Sequence, residues 1–124
     1  MRLWHENLIK QLPRQQLLGQ HRECCALRGK GWGKPHATVN YVFDHSPLKL
    51  YQYHKLVITE MLSRDYQPDP LWLEPLYRGK HTLPYTTLES IVPTHPLYPE
   101  HNETYLADCL ENLRQKNIFI DHVI

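Results

Sequence analysis

Arg14-Gln15-Gln16-Leu17-Leu18-Gly19-Gln20-His21-Arg22-Glu23-Cys24-Cys25 decides the fold of this chain. Leu17, His21 and Cys24 follow the i, i+4, i+7 spacing of one helical stripe, and Leu18, Arg22 and Cys25 repeat it alongside. Glu23 falls on another face. Gly19, four residues before it, carries no side chain to crowd it. A glycine inside a helix costs about 1 kcal/mol relative to alanine, so a spatial reason for Gly19 is expected. Pro13 suits the first turn of such a helix, which is expected to run to about Leu27.

Outward from this helix, residues 1 to 5 read as extended, with Trp4 anchoring the segment in the core, and residues 6 to 12 as one or two helical turns. The loop Gly29-Lys30-Gly31-Trp32-Gly33-Lys34-Pro35 is too rich in glycine and proline for a regular element. It admits two readings. Lys30 and Lys34 meet a phosphate backbone while Trp32 stacks on a base, or Trp32 packs on the core and the lysines are solvated. Residues 36 to 43 are apolar and β-branched enough to be extended.

Ser46-Pro47 opens a second helix, with Leu50, His54, Val57 and Met61 at helical spacing and an end near Arg64. His54 on that apolar stripe reads as a hydrogen-bonded core histidine. Residues 65 to 99 hold seven of the ten prolines, the mark of an irregular segment packed over the helices. Asn102 caps a third helix with a seam of Leu106, Cys109, Leu110 and Leu113, ended by Asn117. The apolar tail, residues 118 to 124, is expected to dock. The fold class is therefore mainly α: a single compact domain of about three helices, residues 1 to 124, with a long proline-rich irregular segment.

Composition narrows the function. The 124 residues are 41% hydrophobic and 22% charged, ordinary globular values. No apolar stretch is long enough to span a membrane, and no export signal opens the chain, so a cytoplasmic location is expected. Cys24, Cys25 and Cys109 lack metal-ligand spacing and read as free thiols. The formal net charge of +1 is unevenly spread. Residues 1 to 35 carry seven basic residues against two acids, a net of +5, whereas the remainder carries seven against eleven, a net of −4. A basic leading third suits an anion such as nucleic acid. Nine histidines occur without a His-Glu-x-x-His helix or a Cys-x-x-Cys pair, so no metal is expected. Phosphate-cradling, dinucleotide and Gly-x-Ser-x-Gly motifs are absent.

A different nucleophile remains. Arg2 is too bulky for the usual removal of Met1, so the α-amine of Met1 is expected to stay free. With a pKa of about 7.7 to 8.0, an α-amine is partly neutral at cell pH and forms Schiff bases with carbonyl carbons. It needs a nearby carboxylate to manage protons. Glu23 is one of two acids in the basic third, where its charge should be held by basic neighbours.

The chain resembles the small pyrimidine-dimer DNA glycosylase/abasic-site lyase family. The resemblance is carried by Met1-Arg2, Leu17-Leu18, Arg22-Glu23, residues 36 to 43 and Glu60-Met61-Leu62-Ser63-Arg64-Asp65-Tyr66. It covers roughly residues 1 to 66 and loosely the third helix. It implies a cofactor-free reaction on damaged double-stranded DNA, pyrimidine dimers included; a duplex substrate does not require a dimer, so a monomer with no membrane association is expected. By position, Met1 would be the nucleophile and Glu23 the essential carboxylate, with Arg2 and Arg22 on phosphates around the lesion. Ala26 stands where the family has a further phosphate-binding arginine, a role that would pass to Arg28. The alternative keeps the fold without the chemistry, as a binding module for nucleic acid or protein.

Overall fold

The computed structural model describes residues 2–35 and 38–120. Three α-helices form its frame: α1 (Arg14–Arg28), α2 (Pro47–Ser63) and α3 (Glu103–Gln115). Short 3-10 turns occupy Glu6–Gln11, Asn40–Asp44 and Pro70–Leu73, and no strand occurs among the described residues.

Each helix begins and ends for a local reason. Pro13 is the N-cap of α1 rather than its first residue, and its carbonyl accepts the Leu17 N–H at 3.0 Å. Ser46 caps α2 by accepting from Leu48 N, with Pro47 pre-set for the first turn. Asn102 caps α3 by accepting from Tyr105 N. Both α2 and α3 end in a Schellman arrangement. Tyr66 N and Asp65 N bond back to Met61 O and Leu62 O, and Ile118 N and Asn117 N to Leu113 O and Arg114 O. Asp65 and Asn117 take the left-handed position at φ 63° and 61°, which these two residue types tolerate.

The buried faces meet in one apolar cluster. Leu17, Cys24 and Leu27 of α1 face Leu50, Tyr53, Val57 and Met61 of α2, and Cys109 and Leu113 close the cluster from α3. Leu3, Trp4, Leu8, Ile9 and Leu12 of the leading segment pack beneath. The middle position of the α1 stripe, between Leu17 and Cys24, belongs to Gln20, 1% exposed, while His21 is only half-buried.

Several expectations change. Thr38 and Val39 lie in a turn and residues 40 to 44 are a 3-10 helix, so this stretch is not extended; residues 36 and 37 lie outside the described residues. Val39 and Val42, both fully buried, are three apart, the repeat of a 3-10 turn rather than the two-residue repeat of a strand. Gly19 does not open space beside Glu23. A Cβ there would meet Arg22 Nη2 at 3.7 Å, an ordinary contact. Trp32 packs on the core, edge-on to Phe43 with ring centroids 5.0 Å apart. Ile118 and Ile120 pack against the core and Phe119 is 66% exposed, while residues 121 to 124 lie outside the described residues.

Candidate active site

The extended leader is held by a side chain that imitates a neighbouring strand. Gln20 Oε1 accepts the Trp4 N–H at 2.7 Å, and Gln20 Nε2 donates to the Arg2 carbonyl at 3.0 Å. The Trp4 N–H can only donate, which fixes the orientation of the carboxamide. Tyr53 of α2 donates its hydroxyl to the Trp4 carbonyl and lies 2.9 Å from Gln20 Oε1. From α3, Tyr105 donates to the Leu3 carbonyl. Residues 2 to 4 thus have partners on all three helices.

Glu23, one turn beyond Gln20, receives what this arrangement delivers. Its Oε2 accepts Gln20 Nε2 at 3.1 Å and, at 3.4 Å, the backbone N–H of Arg2. Burial pushes the carboxyl above the usual carboxylate range, and the two donors offset only part of that shift. The basic neighbours therefore do not hold Glu23 at its ordinary value, as the sequence led one to expect. A half-buried carboxylate with a raised pKa holds its proton more readily than an exposed one, which suits a proton-exchanging group. Met1, expected to be its partner, lies outside the described residues.

The expected phosphate-binding residues divide. Arg22, Lys30 and Lys34 are exposed. Arg2 is half-buried and turned toward α3. Its Nη1 lies 3.6 Å from Cys109 Sγ, and its guanidinium is 5.9 Å from the Trp4 ring and 5.5 Å from that of Tyr105. Arg28 is 4% exposed. Its Nη1 reaches Trp72 O at 2.7 Å and His54 Nδ1 at 2.9 Å, and its Nη2 reaches Glu74 O at 2.9 Å and Tyr77 O at 3.0 Å. All four terminal N–H groups are engaged by internal acceptors, which removes Arg28 from the residues positioned to meet DNA.

His21, Cys25 and His54 bring ligand atoms within 4.8 Å of one another, the arrangement among the described residues most like a metal site. The hydrogen bonds assign it differently. Arg28 can only donate, so His54 Nδ1 accepts and the ring proton sits on Nε2, 2.8 Å from His21 Nδ1. An ion at His54 Nε2 would have to displace that proton beside a guanidinium, the reverse of the usual second-shell acceptor. Burial lowers the pKa of both histidines, with Arg28 adding to the effect, and pushes the Cys25 thiol up to about 12. The three side chains form a neutral hydrogen-bonded chain, and His54 is the core histidine expected.

Sequence reading missed Gln20 and Tyr53. A glutamine three residues after Leu17 and four before Cys24, on the buried stripe, is the signal that points to such a role.

A family model for pyrimidine dimer DNA glycosylase matches residues 1–74, more than half of the chain. The chain belongs to the pyrimidine dimer DNA glycosylase family. No curated protein and no solved structure matches it. The matched region contains α1, α2, the leader and Glu23, and it stops within the proline-rich segment. Family membership implies a DNA substrate, and no helix among the described residues is long and apolar enough to cross a membrane.

Proposed function

We infer that the protein excises damaged bases, pyrimidine dimers included, from duplex DNA and cleaves the resulting abasic site, with the Met1 α-amine as nucleophile and Glu23 as its proton-handling partner. It acts as one domain and as a monomer. The observation that carries this reading is the contact of Glu23 Oε2 with the Arg2 N–H, combined with burial that raises the Glu23 pKa. The α-amine of Met1 is three bonds from that nitrogen, a path of about 4.3 Å at standard bond lengths. On this reading the amine works within reach of the carboxylate.

The chemistry balances without a cofactor. The neutral amine bonds to C1′ as the glycosidic bond breaks, and the released base takes up a proton that the amine gives up, staying joined to its neighbour where the lesion is a dimer. Loss of the amine proton and opening of the sugar give the imine. Removal of a C2′ proton then expels the 3′ phosphate oxygen, and water releases the sugar aldehyde. Glu23 is suited to taking the amine proton and returning it to a departing group. Arg22, Lys30 and Lys34, exposed in the described structure, supply cations for flanking phosphates. Arg2 steadies the leader between Trp4 and Tyr105.

Borohydride trapping tests the reading on two duplexes, one with an abasic site and one with a thymine dimer, followed by mass mapping of the trapped peptide. An adduct on Met1 with both duplexes is expected. An adduct on a lysine instead would overturn the nucleophile. Tight binding with no adduct on either would favour the binding module.

A further inference from the structure

Beyond the residues matched to the family, the proline-rich segment returns to the end of α1. Arg78 Nε donates to Arg28 O at 2.9 Å and Arg78 Nη2 to Gly29 O at 3.2 Å, while the guanidinium lies 4.3 Å from the Tyr85 ring. From the other side, Arg28 Nη2 holds the Tyr77 carbonyl at 3.0 Å. Two arginines thus tie residues 77 and 78 to the helix terminus. The next residue, Gly79, turns at φ 94°, and a Cβ there would lie 3.4 Å from the Trp72 ring. The chain is thereby aimed so that Lys80 and His81 come to the rim of a cavity of about 390 Å³ shared with Lys30.

The lining suits a nucleic-acid strand. Trp72 and Tyr77, ring centroids 4.8 Å apart, give an aromatic floor with Ala26, and Lys30, Lys80 and His81 are exposed around it. Asp69 is the one carboxylate among the described lining residues, and its Oδ1 is occupied by the Leu71 N–H at 3.0 Å. Ala26 follows Glu23 by three positions on the same face of α1, and Lys30 follows by seven, just past the helix end. At 1.5 Å per residue Ala26 lies about 4.5 Å along the axis from Glu23, and Lys30 sits past the end of the helix. A duplex advances about 3.4 Å per base pair, so a strand running along α1 would reach Ala26 roughly one step from a nucleotide at Glu23.

We propose that this cavity is a second DNA-contact site, in which Lys80 and His81 extend the contact begun by Lys30 to backbone phosphates flanking the lesion. The proposal rests on the DNA-repair reading above. It makes the segment outside the family match part of the substrate grip, with Arg28 and Arg78 as positioning residues that set its place.

The test is equilibrium binding to a duplex carrying a tetrahydrofuran abasic-site analogue, measured over a salt series. Wild type is compared with Lys80→Ala/His81→Ala, Lys80→Glu and, as a control at an exposed position of α2 outside that cavity, Lys55→Ala. The double variant is expected to bind about tenfold more weakly, with a salt slope shallower by about 0.9 for each phosphate that is no longer neutralised. Lys80→Glu should bind more weakly still, and Lys55→Ala should match wild type. Unchanged affinity and slope in both Lys80 variants would overturn the second site while leaving the chemistry at Glu23 intact. Equal losses in the Lys55 control would reduce the effect to net charge and overturn it too. Absence of wild-type binding, with no borohydride adduct, would instead bring down the repair reading itself.

Discussion

At the scale of single residues, Glu23 is held by two donors that survive an isosteric change. Oε2 takes both the Arg2 N–H and Gln20 Nε2, so Glu23→Gln can present its amide oxygen to the same partners. The variant should fold and bind DNA while cleavage falls by about two to four orders of magnitude, the usual worth of a positioned general acid or base. Its stability should also report the raised pKa. With the folded-state pKa above the unfolded value, the native state binds more protons in the interval between them. Wild-type stability therefore declines as pH rises from the unfolded carboxylate value through the raised one, and Glu23→Gln lacks that decline. Melting temperatures of the two should converge below about pH 4, where the carboxyl is protonated both folded and unfolded, and the variant should melt higher at pH 7. A variant that melts lower at pH 7 would mean that the charge itself holds the leader in place.

Among the elements, Arg28 decides how the proline-rich segment is attached. Its guanidinium adds to the turn hydrogen bonds of this segment, reaching carbonyls at Trp72, Glu74 and Tyr77 and fixing the His54 tautomer. Arg28→Ala takes the donor from the part-buried carbonyls of Trp72 and Tyr77 and from buried His54 Nδ1, while Glu74 O keeps the Tyr77 N–H, and should cost on the order of 3 kcal/mol. Limited proteolysis should then cut residues 65 to 99 faster in the variant. Equal proteolysis and equal stability would show that the aromatic packing of Trp72 and Tyr77 alone retains the segment. The same residue marks what a sequence yields and what it withholds. The three helices are legible because Ser46, Asn102 and the apolar stripes signal locally, through caps and a 3.6-residue period. In the sequence Arg28 reads as a surface cation because three of its four acceptors are backbone carbonyls 44 to 49 residues away, which no side-chain pattern advertises. Val39 and Val42 mislead for a related reason: β-branched residues favour strands only where a sheet exists to receive them. At the site, the carboxylate and the opening residues can be singled out, but the Gln20 clamp that joins them depends on α1 packing beside an extended leader.

For the molecule as a whole, folding redistributes the charge that the sequence places in its first 35 residues. Arg28 turns inward and Arg2 is stacked toward α3, so Arg22, Lys30 and Lys34 remain exposed from the expected DNA-binding set, with Lys80 added by the returning segment. Three to four phosphate contacts give a slope of log affinity against log salt of about −2.7 to −3.6. Raising salt from 50 to 200 mM should thus weaken binding to a lesion-bearing duplex by about 40- to 150-fold, measured by fluorescence anisotropy. A slope near zero would contradict recognition through phosphates and with it the DNA substrate. A slope steeper than about −5 that persists when the other exposed cations, Lys10, Arg14, Lys55, Arg114 and Lys116, are neutralised would require cations that the folded structure keeps inside. That result would point to a rearrangement on binding that frees Arg2 from Cys109 and Tyr105, or Arg28 from its carbonyls. The two are separable, because release of Arg28 would expose residues 65 to 99 to protease in the complex, whereas release of Arg2 would leave that segment protected.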